Sequence, residues 1–134
     1  MSNDSIGAQL DMIGIVVSEM ARSLEFYRLL GLDIPPGQDD EPHVEVTLRG
    51  GIRLAFDAQQ MVEGFHPDWA GSGAGGRVGL AFLLPDAAAV DDAHARVTAA
   101  GHGSVLEPFD APWGQRYATV RDPDGSSLDL FAWA

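Results

Sequence analysis

Cysteine is absent from the 134 residues, which removes disulfides, thiolate nucleophiles, Cys-ligated zinc and iron–sulfur clusters from the possible chemistries. Basic residues are scarce: 8 against 20 acidic ones, a formal charge of −12 and a pI near 4.4. A field of that sign repels phosphate backbones, so no nucleic acid is expected as a partner, while a cationic small molecule is attracted. Solubility alone accounts for most of these charges. No stretch approaches the roughly 18 uninterrupted apolar residues of a membrane span, so no membrane association is expected. MSNDSIGAQLD at the start has neither a basic n-region nor a long apolar h-region. No signal peptide is therefore expected, and the expected location is cytoplasmic.

What remains is a chain with 46% hydrophobic residues, a mean hydropathy near zero and a length suited to one domain. LDMIGIVV (10–17) is a short apolar run that predicts a strand covered on both faces. MARSLEFYRLL (20–30) sets Met20, Leu24, Tyr27 and Leu30 on one helical stripe, with Ser18 as candidate N-cap and Gly31 as stop. PPGQDDEP (35–42) predicts a loop. HVEVTL (43–48), Gly50-Gly51 and IRLAFD (52–57) predict a hairpin, and residues 58–76 read as irregular. RVGLAFLL (77–84) then predicts a strand, and DAAAVDDAHARVTAA (86–100) a helix capped by Asp86 and stopped by Gly101. SVLEPF (104–109), GQRYATVR (114–121) and SSLDLFAW (126–133) predict three more strands.

The order strand, helix, strands occurs twice, as in an internal duplication. The halves align Met12 with Gly79 and Ala55 with Asp129. The expected fold is α+β: two tandem β-α-β-β-β modules, about 8–58 and 77–134, joined by a linker at about 59–76. Alternation puts Val44, Val46, Leu48, Ile52, Leu54, Phe56, Leu128 and Leu130 under the helices. The opposite face carries His43, Glu45, Thr47, Arg53, Ala55, Asp57, Ser127, Asp129 and Phe131. Two such faces predict a curved sheet enclosing a cup.

DMIGIVVSEMARSLEFYRLLGL and APWGQRYATVRDPDGSSLDLF resemble the vicinal oxygen chelate superfamily of glyoxalases, extradiol dioxygenases, fosfomycin-resistance transferases and bleomycin-resistance proteins. The resemblance covers nearly the whole chain and both halves. It implies the fold more strongly than a function, because that fold hosts several chemistries and pure binders. In the superfamily's enzymes, His and Glu side chains from four strands hold a divalent metal. The resemblance carries those places to Met12 on the first strand, about Ala55 on the fourth, Gly79 on the fifth and Asp129 on the eighth. Of these, Asp129 alone offers a ligand for a hard or borderline cation, where a catalytic site needs about three. No metal and no cofactor are therefore expected.

Other candidates divide between chemistry and architecture. His43, on the predicted cup face, is either a ligand contact or a solvated strand histidine; His94 and His102 read as surface residues, and His66 lies in the irregular segment. GSGAGG (71–76) matches a dinucleotide pattern on paper, but it follows a loop and opens a strand, so it reads as a linker. Phe65, Trp69 and Trp113 stand in irregular segments, and Phe131 and Trp133 share the parity of Asp129. A loop tryptophan is either a lid on a core or a platform for a ligand ring. Small residues at Ala55 and Gly79 leave room for a guest, and Met12 offers an adaptable wall. With the resemblance, these residues lead to a non-enzymatic protein that sequesters a large aromatic natural product, a bleomycin-type glycopeptide or an anthraquinone-fused enediyne. Met12, His43, Glu45, Arg53, Asp57, Phe65, Trp69, Trp113, Asp129 and Phe131 are its expected contacts. The rival expectation is a metal-dependent lyase, isomerase or dioxygenase. Family precedent also implies a homodimer whose sites lie at the interface.

Overall fold

A computed structural model describes residues 5, 7, 9–65 and 79–134. The element order is β1 (Met12–Val17), α1 (Met20–Leu29), β2 (His43–Thr47), β3 (Arg53–Ala58), α2 (Gln59–Phe65), β4 (Leu80–Leu83), α3 (Ala87–Ala99), β5 (Ser104–Ala111), β6 (Gln115–Arg121) and β7 (Ser127–Trp133). The architecture is α+β, with two separate sheets among the described residues rather than one continuous curved sheet. One sheet has the order β1-β3-β2, the other β4-β7-β6-β5.

Both sheets follow one plan: the strand before the helix lies parallel to the last strand, which pairs antiparallel with its predecessor. The duplication is nevertheless incomplete. Three strands were expected after each helix, and the first half has two; the counterpart of β5 is replaced by the segment between α1 and β2. Pro35, Pro36 and Pro42 stand there, and proline cannot donate to a sheet ladder. Residues 59–65, expected to be irregular, form the helix α2 instead. The proposed linker 71–76 lies outside the described residues.

The local signals explain most boundaries. Asp86 caps α3, its side chain accepting from the Ala89 amide at 2.8 Å. Gly31 and Gly101 end α1 and α3 with φ of +110° and +96°, a conformation that favours glycine. The N-cap of α1 is Glu19 and not Ser18, and Glu19 makes no side-chain cap. The carboxylate of Asp124, in the β6–β7 turn, instead accepts from the Ser18 amide at 3.2 Å and lies 3.5 Å from the buried Ser23 hydroxyl. Its neighbour Asp122 is buried and accepts the Tyr27 hydroxyl at 3.0 Å and the amides of Asp124 and Ser126, each at 2.9 Å. Asp-Pro-Asp-Gly is thus more than a turn. Its two carboxylates fasten the second sheet to the helix of the first.

One apolar core runs beneath both sheets. It includes Leu24, Phe26 and Tyr27 from α1, Leu54 and Phe56 from β3, and Leu128 and Leu130 from β7. The expected inward parity is observed, with Val44, Val46, Leu54, Phe56, Leu128 and Leu130 buried and Leu48 and Ile52 half-buried. His102 is not simply a surface residue: its ring meets Phe26 edge-on, with centroids 4.8 Å apart. His94 bonds the Ser104 hydroxyl at 2.7 Å.

Candidate functional site

The faces turned away from the helices carry two different chemistries. On the first sheet, His43, Glu45, Arg53 and Asp57 stand on adjacent strands, with Glu45 opposite Ala55 and His43 opposite Asp57. Their side chains join into one chain of ion pairs. His43 Nδ1 contacts the Asp57 carboxylate, His43 Nε2 lies 2.7 Å from Glu45, and Arg53 donates to Glu45 at 2.8 Å and to Asp11. These groups surround Ala55, which is fully buried. Ala55 therefore offers no exposed surface of its own for a guest. Met12, opposite Arg53, remains exposed at the rim.

Hydrogen bonds from His43, first to Glu45 and then to Asp57, hold its pKa above the ordinary imidazole value of 6.5. Hydrogen bonding to His43 and then Arg53 lowers that of Glu45. For a raised histidine, the stabilisation is complete below pH 6.5 and is lost as pH rises through the folded-state value. For the depressed Glu45, it is present above the ordinary carboxylate range and lost as acid protonates the folded carboxylate. Stability of the wild type is therefore expected to fall as pH rises above 6.5. The fall should be a few tenths of a kcal/mol, as for exposed ion pairs. Urea denaturation of wild type and His43→Gln across pH 6–9 checks this; equal slopes would remove His43 as the cause.

The second sheet presents aromatic rings. Tyr117 pairs with Phe131 across β6 and β7, and with Phe109 across β5 and β6. Trp113, in the β5–β6 turn, meets Tyr117 edge-on at 5.3 Å and Phe109 at 6.3 Å; Phe131 meets Trp133 at 6.0 Å. The Trp113 indole donates to Gln115 at 2.8 Å, which fixes the ring while 55% of the residue stays exposed. Asp129 stands within this wall, opposite Thr119, whose hydroxyl donates to it at 2.9 Å. Burial first, and then contact with Asp129, push the Tyr117 phenol up to about 12.

The ladders place Gly14 opposite Ala55 and Ala81 opposite Asp129. That agrees with the sequence alignment of the halves. The metal positions implied by the resemblance hold methionine, alanine, glycine and one aspartate, which is not a donor set for a divalent ion. The carboxylates of Glu45 and Asp57 bond different nitrogens of the His43 ring, so the three do not converge on a point. Among the described residues, no group of three or more His, Cys, Asp or Glu is placed to hold a metal.

The structure brings the expected contacts together as two groups, His43, Glu45, Arg53 and Asp57 on one sheet, and Trp113, Asp129 and Phe131 on the other. Trp69, His66 and the side chain of Phe65 lie outside what is described. Sequence reasoning missed Phe109 and Tyr117, although counting outward from the Asp122–Gly125 turn puts Tyr117 opposite Phe131. A cavity of about 250 Å³ lies where β1 meets the second sheet, lined by Gly14, Val16, Tyr27, Leu80, Asp122 and Leu128 among others. No described helix is long and apolar enough to cross a membrane.

A family model, Glyoxalase/Bleomycin resistance protein/Dioxygenase superfamily, matches residues 9–130. Solved structures agree. A glyoxalase/bleomycin resistance protein/dioxygenase family enzyme from Burkholderia phytofirmans PsJN has a TM-score of 0.79 at 18% identity, covering 95% of this chain and 100% of that one. Protein ATC0852 from Agrobacterium tumefaciens gives 0.72 at 28% identity, covering 95% and 98%. TioX from Micromonospora sp. ML1 gives 0.60 at 22% identity, covering 95% and 100%. No curated protein matches at a significant level.

Proposed function

Because the chain belongs to the glyoxalase/bleomycin resistance protein/dioxygenase superfamily, which contains enzymes and non-enzymatic binders alike, we propose that it is one of the binders and captures a large, flat aromatic small molecule. The observation that carries this reading is the aromatic wall of the second sheet. Its rings are braced edge-on against one another, and Trp113 is fixed by Gln115 yet more than half exposed. A braced, exposed ring offers a stacking surface that loses little freedom when a guest arrives. The unsuitable donor set at Met12, Ala55, Gly79 and Asp129 supports binding over metal-assisted catalysis.

Capture would be stoichiometric, and in a cell it would confer resistance by sequestering an antibiotic such as a bleomycin-type glycopeptide or an anthraquinone-fused enediyne. Met12 would add an adaptable contact at the rim, and Trp69 and Phe65 would add rings from the segment beyond β3. A second copy of the chain would complete each site, giving a homodimer with two guests. The protein would need no cofactor and would work in the cytoplasm.

Titration calorimetry with these two antibiotic classes, after dialysis against chelator, tests the reading. Saturation at one guest per chain is expected. Trp113→Ala should weaken binding by about 1–3 kcal/mol, the range for aromatic stacking on nucleobases. An unchanged dissociation constant in that variant would remove Trp113 from the site. A divalent ion retained stoichiometrically through dialysis, with no guest bound, would favour a metal-dependent lyase, isomerase or dioxygenase instead.

A further inference from the structure

The acidic groups near the two exposed faces are not equivalent, and the difference bears on the chemistry of the guest. All eight basic residues of this chain are arginine. Asp11 and Glu45 are paired with Arg53, Asp57 with His43, and Asp91 and Asp110 with Arg116. Glu45 and Asp57, two of the expected contacts, thus already have partners in Arg53 and His43. Asp129 is different. Among the described residues no arginine or histidine lies within ion-pair distance of it, and its hydrogen-bond partners, the Thr119 and Tyr117 hydroxyls, are both uncharged. It is half-buried, so water screens it less than an exposed carboxylate.

Its neighbours on the same face are rings. Phe131 follows it by two residues on β7, Tyr117 stands opposite Phe131, and Trp113 packs on Tyr117. Aromatic faces attract cations through their quadrupoles, most strongly tryptophan and tyrosine, and the attraction grows where water is excluded. Tyr117 is a neutral phenol at physiological pH, and its raised pKa only widens that range, so it adds no competing charge of its own.

We propose that Asp129 with the rings of Tyr117, Phe131 and Trp113 forms a subsite for an alkylammonium group carried by the aromatic guest. This rests on the capture reading above and adds the charge and attachment of the ligand: a planar ring system bearing an aminoalkyl arm, the rings on Trp113 and the amine at Asp129. The net charge of −12 favours encounter with such a guest but does not select it, because it acts on every cation alike. Selection belongs to the one unpaired carboxylate among the rings.

The test uses an aminoalkyl-substituted anthraquinone and its N-acetylated counterpart, which keeps the rings and loses the charge. Both are titrated into the full-length protein, into Asp129→Asn, and into Asp40→Asn, which removes the same charge from an exposed loop position. The wild type should prefer the amine by roughly 5- to 30-fold. Asp129→Asn should bind both probes with the affinity the wild type shows for the acetylated one, and Asp40→Asn should keep the preference. Binding of the acetylated probe by Asp129→Asn also shows that the variant is folded. No preference in the wild type, or a preference that survives in Asp129→Asn, overturns the subsite and leaves aromatic capture standing. If neither probe binds the wild type, capture fails and the subsite with it.

Discussion

Asp122→Ala is expected to destabilise the protein by about 3–4 kcal/mol, with a fall in Tm of roughly 10–15 °C. Two effects oppose each other at this residue. Keeping a carboxylate buried costs desolvation, which the alanine removes. Against that, three donors lose their acceptor: the Tyr27 hydroxyl in the core and the amides of Asp124 and Ser126 in the turn. The losses should outweigh the recovered desolvation, because the buried Tyr27 hydroxyl left unsatisfied costs about 1–3 kcal/mol and the two lost bonds from the turn amides to a charged acceptor add to it. Burial and the Asp122 carboxylate also push the Tyr27 phenol strongly upward, so the hydroxyl stays a donor throughout the accessible pH range. Tyr27→Phe keeps the ring and the turn and should cost about 1–1.5 kcal/mol. The double variant should be less destabilised than the sum, with a coupling of about 1 kcal/mol. Strict additivity in urea denaturation would show that the hydroxyl and carboxylate act separately.

Phe56→Ala should be as damaging, at about 3–5 kcal/mol. Phe56 is fully buried in β3, packs on Tyr27 with centroids 5.0 Å apart, and pairs with Ile15 and Val44 on either side. Truncation leaves a void enclosed by two strands and a helix, which can collapse only partly. Thr47→Ala, at an exposed position of the facing strand, should stay within about 0.5 kcal/mol. Equal losses at the two sites would contradict the face assignment on which both the core and the aromatic wall depend.

That assignment was legible in the sequence, because strand parity is local and the hairpins around Gly50-Gly51 and Asp124-Gly125 fix the register. The cap of α3 was legible too, since Asp86 lies next to the helix it serves. The fastening of the chain entering α1 was not: the Asp124 acceptor is 106 residues from Ser18, and no local pattern points across that gap. Helix α2 escaped notice because seven residues containing Gly64 carry little periodicity. On the candidate site, parity put His43, Glu45, Arg53 and Asp57 together, yet it says nothing of which charges pair. The mutual pairing of that group, and the absence of a charged partner at Asp129 among the described residues, are properties of side-chain reach and not of spacing.

The fastening of α1 by the Asp122–Asp124 turn also sets an order of events during biosynthesis. The helix leaves the ribosome before Asp122 and Asp124, the acceptors for its Tyr27 and Ser23 hydroxyls, which are translated about a hundred residues later. A helix of ten residues is marginal on its own in water. The first half is therefore expected to gain its native packing only once the second is made, and closing so large a loop slows that step. The two halves share a plan, but a common core and the Asp122 and Asp124 contacts join them, so a single unfolding transition is expected, with the later half completing the earlier.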